Sequence, residues 1–330
     1  MRARPLWFWL VVASAIGIGV LVVVLVRIDG SDLSEALKTG GLAAGAMVAL
    51  YALWLNDRRR RVEENRHSLE TQRAQHDRER VADERFARAV ELLGNEADQV
   101  RVGAMHALAG LARSRPGYTQ TVLDVLCAYL RRPFDHYRYA EVRGDKARTW
   151  DAEETRAADR ELQVRMTAQR LIADLLPAVS DEDSPIYDLD LHGATLEFFS
   201  IENRVVGQIR ARETKLYEAT RLSGAVVRGP VWFTRARCWG RLYANDTVFH
   251  DRSWFNKLEA LGKIDFTRAE FHHDTRFAHA VFHGPVSFRN ARFAGGASVD
   301  TTGLTVPVEQ EHNLPDGWRD RGVRAGPGGN

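Results

Sequence analysis

The sequence predicts an α + β-solenoid protein: two N-terminal transmembrane helices, a small helical unit, and a C-terminal β-solenoid. Three observations predict this. Two long apolar runs stand at the start and a block of arginines follows the second; apolar residues then recur at helical spacing; and from Phe266 onward phenylalanine returns at 271, 277, 282, 288 and 293, with gaps alternating between five and six. Neither a helix nor a flat strand has that period.

With 330 residues the chain has room for more than one unit. A net charge of +2 excludes a general electrostatic case for nucleic acid or an acidic partner, so basic clusters must be judged locally. The two cysteines, Cys127 and Cys238, are far apart, which argues against a disulfide framework.

The stretch from Leu6 to Val26 carries no charge, and at about 1.5 Å per residue it is long enough to cross a hydrocarbon core about 30 Å thick. A signal peptide is the rival, since Ala13-Ser14-Ala15 resembles a cleavage site, but the apolar run continues past it. A second run, placed at 40–55, is apolar and uncharged from Gly41 to Leu55, with Tyr51 and Trp54 near its end. Arg58 to Arg61 follow it, and the turn between the runs is more acidic than basic, so both termini are expected in the cytoplasm. The predicted location is the inner (plasma) membrane, with two spans. Gly41 and Gly45 form a GxxxG that suits close helix approach and allows a homo-oligomer.

Residues 1–56 therefore read as a membrane hairpin and 57–83 as a charged helical stalk without a coiled-coil seam. Residues 84–133 read as a small helical unit: a helix through Phe86, Val90 and Leu93, a second through Val100, Ala104, Leu108 and Leu111, and a third from Thr119 to Arg132. Asn95 and Asp98 can cap the second, in which Gly103 and Gly110 would permit close packing. Residues 134–185 read as an irregular linker followed by a helix, opened by a capping box of Asp151 and Glu154.

Counting in elevens gives Leu222, Phe233, Ala244, Phe255, Phe266, Phe277, Phe288 and Val299, and a partner series Val227, Cys238, Phe249, Ala260, Phe271, Phe282, Phe293 and Leu304. Two residues before most members stands a smaller or β-branched side chain, and charged or polar residues lie between. Recurrence over this length marks stacked units that bury one another's apolar faces. The A-x-F and A-x-L units resemble the pentapeptide repeat family. The resemblance implies a right-handed quadrilateral β-helix over residues 186–304, with each unit forming one side and the elevens being two sides plus one extra corner residue. The preceding hairpin and helical unit resemble membrane-anchored bacterial members of the family. Residues 305–330, rich in Pro, Gly and charge, read as a disordered tail.

No phosphate loop, dinucleotide fingerprint, zinc-protease motif or nucleophile elbow occurs in a suitable context, so no enzyme activity and no cofactor are inferred. His250 and His272 are separated by two elevens, so they should stack on neighbouring coils; they are the weak candidates for a metal site, without a clear completing ligand. Cys238 falls in the inward series, so packing is expected over reactivity. Some pentapeptide repeat proteins are thought to imitate DNA through an acidic surface; these repeats are slightly basic, so no nucleic-acid-related partner is expected. The expected function is a membrane-anchored cytoplasmic scaffold for an unknown protein partner, using Arg235, Arg237, Arg241, Trp232, Trp239 and Trp254. The alternative is a metal- or pH-responsive membrane regulator acting through the solenoid histidines.

Overall fold

The structure is a computed structural model that describes residues 16–17, 19–20, 23–24, 27, 33–145, 148–181, 183–295, 297–307, 313–318 and 324–326. The chain divides into two units, Met1–Val81 and Ala82–Asn330.

The first unit contains most of α1, Leu33–Leu92, an uninterrupted helix of 60 residues. The expected second span and the charged stalk are therefore parts of one element. Among the described residues no helix is long and apolar enough to cross a membrane. The uncharged run from Gly41 to Leu55 covers only about 22 Å against a hydrocarbon core of about 30 Å. The expected first span, 6–26, lies largely outside the described residues; those described within it are helical.

In the second unit, the end of α1 is followed by α2 (Asp98–Ser114), α3 (Thr119–Arg131), the short α4 (Tyr137–Val142) and α5 (Ala152–Leu175). Asp151 accepts from the N–H groups of Glu153 and Glu154, both at 2.8 Å, and the Glu154 carboxylate accepts from the Asp151 N–H, so the capping box forms as its sequence predicts. The expected cap of α2 does not form. Its N-cap is Ala97, because the Asn95 side chain closes a turn on the Ala97 N–H at 2.9 Å. Gly103 and Gly110 face open space and mediate no close packing.

The helices α2, α3 and α5 pack as one layer through Leu108, Leu123, Leu126, Leu171 and Ile172, all essentially inaccessible. The segment expected as an irregular linker contains α4, whose Tyr139 is buried. Arg101 ties the layer together by pairing with Asp98 and Glu161 and donating to the Tyr129 hydroxyl at 2.8 Å.

From Leu189 onward the chain winds through two- and three-residue strands that form four parallel sheets among the described residues. Side 1 stacks Leu189–Asp190, Ile209–Arg210, Val231–Trp232, Ser253–Trp254, Thr275–Arg276 and Val299–Asp300. Side 2 begins at Thr195–Glu197, side 3 at Ala219–Arg221 and side 4 at Val205–Val206. In register, Ile209 faces Val231, which faces Ser253, which faces Thr275, so each of these coils is two elevens long. The stretch 205–216 supplies strands to sides 4, 1 and 2.

The alternation of five and six has a backbone cause. Each side contributes two inward residues, such as Val231 and Phe233, then Ala236 and Cys238, all buried. Where only two outward residues make the corner, the second adopts positive φ: Gly193, Glu213, Arg235, Lys257, His279 and Gly303 between sides 1 and 2, and Asn203, Gly224, Asp246, Arg268 and Asn290 between sides 3 and 4. The corner 239–241 has three outward residues and none of them is left-handed, although Glu218 at the matching corner one coil earlier is, as is Phe198 in the first coil. There Gly240, Gly262 and Gly284 stack, and a Cβ on Gly262 would lie 2.0 Å from the Gly240 carbonyl oxygen.

Inside, Phe233, Phe255 and Phe277 stack with centroid spacings of 5.7 and 5.0 Å. Phe249, Phe271 and Phe293 form a second column at 4.9 Å per step. Both ends are closed. At the first coil, the Gln120 side chain of α3 bonds both the N–H and the carbonyl of Asp188, at 2.8 and 3.0 Å, and Gln169 of α5 accepts the Glu197 N–H at 3.2 Å. At the last coil, Trp318 is buried against Phe277, Phe288 and Phe293. The expected disordered tail is thus corrected where it is described: Thr305–Pro307 and Arg324–Gly326 pair on side 2, because the open end of a phenylalanine column requires a cover.

Gly262→Ala is expected to lower stability to chemical denaturation by about 1–3 kcal/mol, whereas Gly103→Ala, in an open helical position, should be neutral or stabilising by up to about 1 kcal/mol. Phe277→Ala is expected to cost about 3–5 kcal/mol in the same measurement.

Candidate interaction surface

Because strand residues alternate, the partner of each buried side 1 residue points outward. The paired registers align Asp190, Arg210, Trp232, Trp254, Arg276 and Asp300 in one outward column. The two indoles meet edge to face, with centroids 5.6 Å apart and an angle of 64°. The Arg212 guanidinium lies 5.5 Å from the Trp232 ring, with Arg210 at 6.0 Å, and Arg276 lies 5.7 Å from Trp254. These distances are within reach of cation–π attraction.

At the ends of the column the charges reverse. Asp190 pairs with Arg131 of α3, while Asp300 is held below the usual carboxylate range, first by the Thr302 N–H. Among the described residues Arg210, Arg212 and Arg276 form no ion pair, and only Arg235 of the neighbouring corner is matched, by Glu213 at 3.3 Å. The indole N–H groups of Trp232 and Trp254 and the side-chain oxygen of Asn256 are enclosed without a partner among the described residues. Two depressions of about 410 and 380 Å³ flank the rings, one against Trp232 and one against Trp254.

Of the six residues singled out in sequence, the structure brings together Trp232, Trp254 and Arg235. Arg237 is on side 2, paired with Glu259 at 2.9 Å, and Arg241 is exposed on side 3. Trp239 stacks on Tyr217 at 4.7 Å, and Tyr217 stacks on Tyr139 of α4 at 3.8 Å, so Trp239 extends an intramolecular stack. Sequence reasoning misses Arg210, Arg212 and Arg276. A signal for two of them is present, since a step of two elevens from Trp232 reaches Arg210 in one direction, and Trp254 and then Arg276 in the other.

A larger groove, about 540 Å³, lies beside α5 and includes Glu197 and Arg204. Of its charged groups, Glu197 accepts from Tyr139 at 2.6 Å and pairs with Arg138, Arg204 donates to the Leu176 carbonyl at 3.2 Å and Glu202 accepts from Ser200 at 3.3 Å, while Arg170 forms no ion pair among the described residues. Side 1 carries the stronger case for a partner because several such cations stand there against aromatic rings.

His250 and His272 stack as expected, with centroids 5.1 Å apart, and Arg228 sits 3.0 Å from the His250 ring nitrogen. Among the described residues no group of three or more His, Cys, Asp or Glu side chains could hold a metal ion. Cys127 and Cys238 are buried free thiols whose pKa values burial pushes up to about 12.

Residues 262–302 match the family model described as Pentapeptide repeats (9 copies), in keeping with the resemblance carried by the A-x-F units. A comparison with curated proteins gave no match, and a comparison with solved structures gave none.

Partial burial, then Arg228 and His272, hold His250 below its ordinary value of 6.5, against a weaker opposing pull from Glu270. The unfolded chain thus takes up this proton at a higher pH than the folded chain, so stability falls as the pH drops through 6.5 toward the depressed folded value. His250→Gln is expected to show a smaller loss of Tm than the parent between about pH 7.5 and about pH 5.

Proposed function

We propose that the protein is a membrane-anchored, non-catalytic scaffold whose solenoid presents side 1 to a protein partner in the cytoplasm. The observation that carries this reading is the column Arg210, Trp232, Trp254, Arg276, where cations that form no ion pair among the described residues flank aromatic rings on a regular sheet. Arginine and tryptophan dominate the energetics of protein interfaces because they bring large planar area at modest entropic cost. The repeat-built solenoid supplies a rigid platform for them.

Anchoring is supported by the uncharged run from Leu6 to Val26, and the orientation by Arg58 to Arg61 beyond the second apolar run. The stacked His250 and His272, with Arg228 beside them, favour a second reading in which the solenoid responds to pH.

The full chain is expected to remain with membranes after alkaline carbonate extraction, while a chain lacking residues 1–56 is released. In native membranes, a photo-crosslinking benzoylphenylalanine at position 254 should form protein adducts, and one at position 243, on side 3, should not. Release of the full chain into the supernatant would remove the anchor from the reading, and equal adducts from both positions would remove side 1.

A further inference from the structure

The proposed scaffold reading leaves open what side 1 recognises, and the inference here rests on that reading. We propose that the column binds a short extended acidic segment, carrying carboxylates at positions i and i+4 and an aromatic residue at i+2. Arg210 and Arg276 are three register steps apart, which at about 4.8 Å per step is about 14 Å. In an extended peptide, residues i and i+4 lie on one face about 13–14 Å apart, and i+2 projects from that face between them. The carboxylates therefore meet the two guanidinium groups while the central ring meets Trp232 and Trp254. Carboxylates suit this position because arginine forms paired, charge-assisted bonds with them.

The ends of the column favour a short segment over a running polyanion. Asp190 stands one step before Arg210, and Asp300 one step after Arg276. A phosphate backbone continuing in either direction would meet like charge, whereas a segment spanning three steps ends before it. The indoles also stand at 64° to each other, so they do not offer the parallel faces on which successive bases stack.

The test is a titration of the full chain, in detergent micelles at low salt, with the N-acetylated and C-amidated heptapeptide Gly-Glu-Ser-Phe-Ser-Glu-Gly. Binding is read by calorimetry and by the indole N–H signals of Trp232 and Trp254, assigned with Trp232→Phe and Trp254→Phe. The expected result is saturable binding that moves both signals. Arg210→Gln and Arg276→Gln should each weaken it about tenfold, while Arg241→Gln on side 3 leaves it unchanged. The peptide with both glutamates replaced by glutamine should bind at least about tenfold more weakly. Equal binding of the glutamine peptide, indifference to Arg210→Gln and Arg276→Gln, tighter capture of an oligothymidylate on the same residues, or self-association through Trp232 and Trp254 would each overturn the proposal. Absence of peptide binding while adducts from position 254 persist would overturn the acidic segment and leave the scaffold standing; loss of both would remove the two together.

Discussion

The structure depends on one packing constraint, that every coil must fill the same narrow interior with two inward side chains on each side. Parallel strands stack at about 4.8 Å, and phenylalanine rings in adjacent coils lie 4.9 to 5.7 Å apart, centroid to centroid. A ring within a column, such as Phe255 or Phe271, is therefore covered by the ring above and the ring below, and isolated coils could not exclude water from it. The corners follow from the same constraint. A two-residue corner accepts a left-handed residue at a cost of about 1–2 kcal/mol for most side chains, and the glycine column at 240, 262 and 284 lets successive backbones approach where any Cβ would collide.

The constraint also explains the two ends. A stack of parallel coils exposes unpaired backbone groups and an uncovered ring at each terminus. The helical layer meets the first coil with glutamine amides, which can donate and accept together as a neighbouring strand would. Arg165 of α5 is almost wholly buried there, donating to the Leu130 and Thr195 carbonyls and lying 4.7 Å over the Phe134 ring. Helices and solenoid consequently share one continuous apolar core from Ala89 to Trp318.

The period is legible in the sequence because it is strict: Phe266, Phe277 and Phe288 follow one another at a constant interval, and all are buried. What is not legible lies where a single residue does the work of many. Trp318 stands alone in a stretch of Pro, Gly and charge, and only the open end of the ladder gives it a role. Gln120 and Gln169 look like ordinary polar helix positions until the edge of the first coil is placed against them. On the surface, Trp232 and Trp254 are visible as large residues, but Arg210 and Arg276 become their neighbours only when the chain is wound at two elevens per coil.

A solenoid separates stability from recognition more completely than most folds. Inward positions are bound to their coil neighbours by volume, whereas outward positions on a side touch mainly the same position one coil away. Columns can then differ freely in chemistry while the backbone stays regular. Trp239 is drawn into the Tyr139 and Tyr217 stack because α4 lies over that column, while the Trp232 column has no covering element among the described residues. The difference between a packing tryptophan and a candidate recognition tryptophan is thus a matter of which column the chain itself covers, and side 1 is where cations and rings coincide without such a cover.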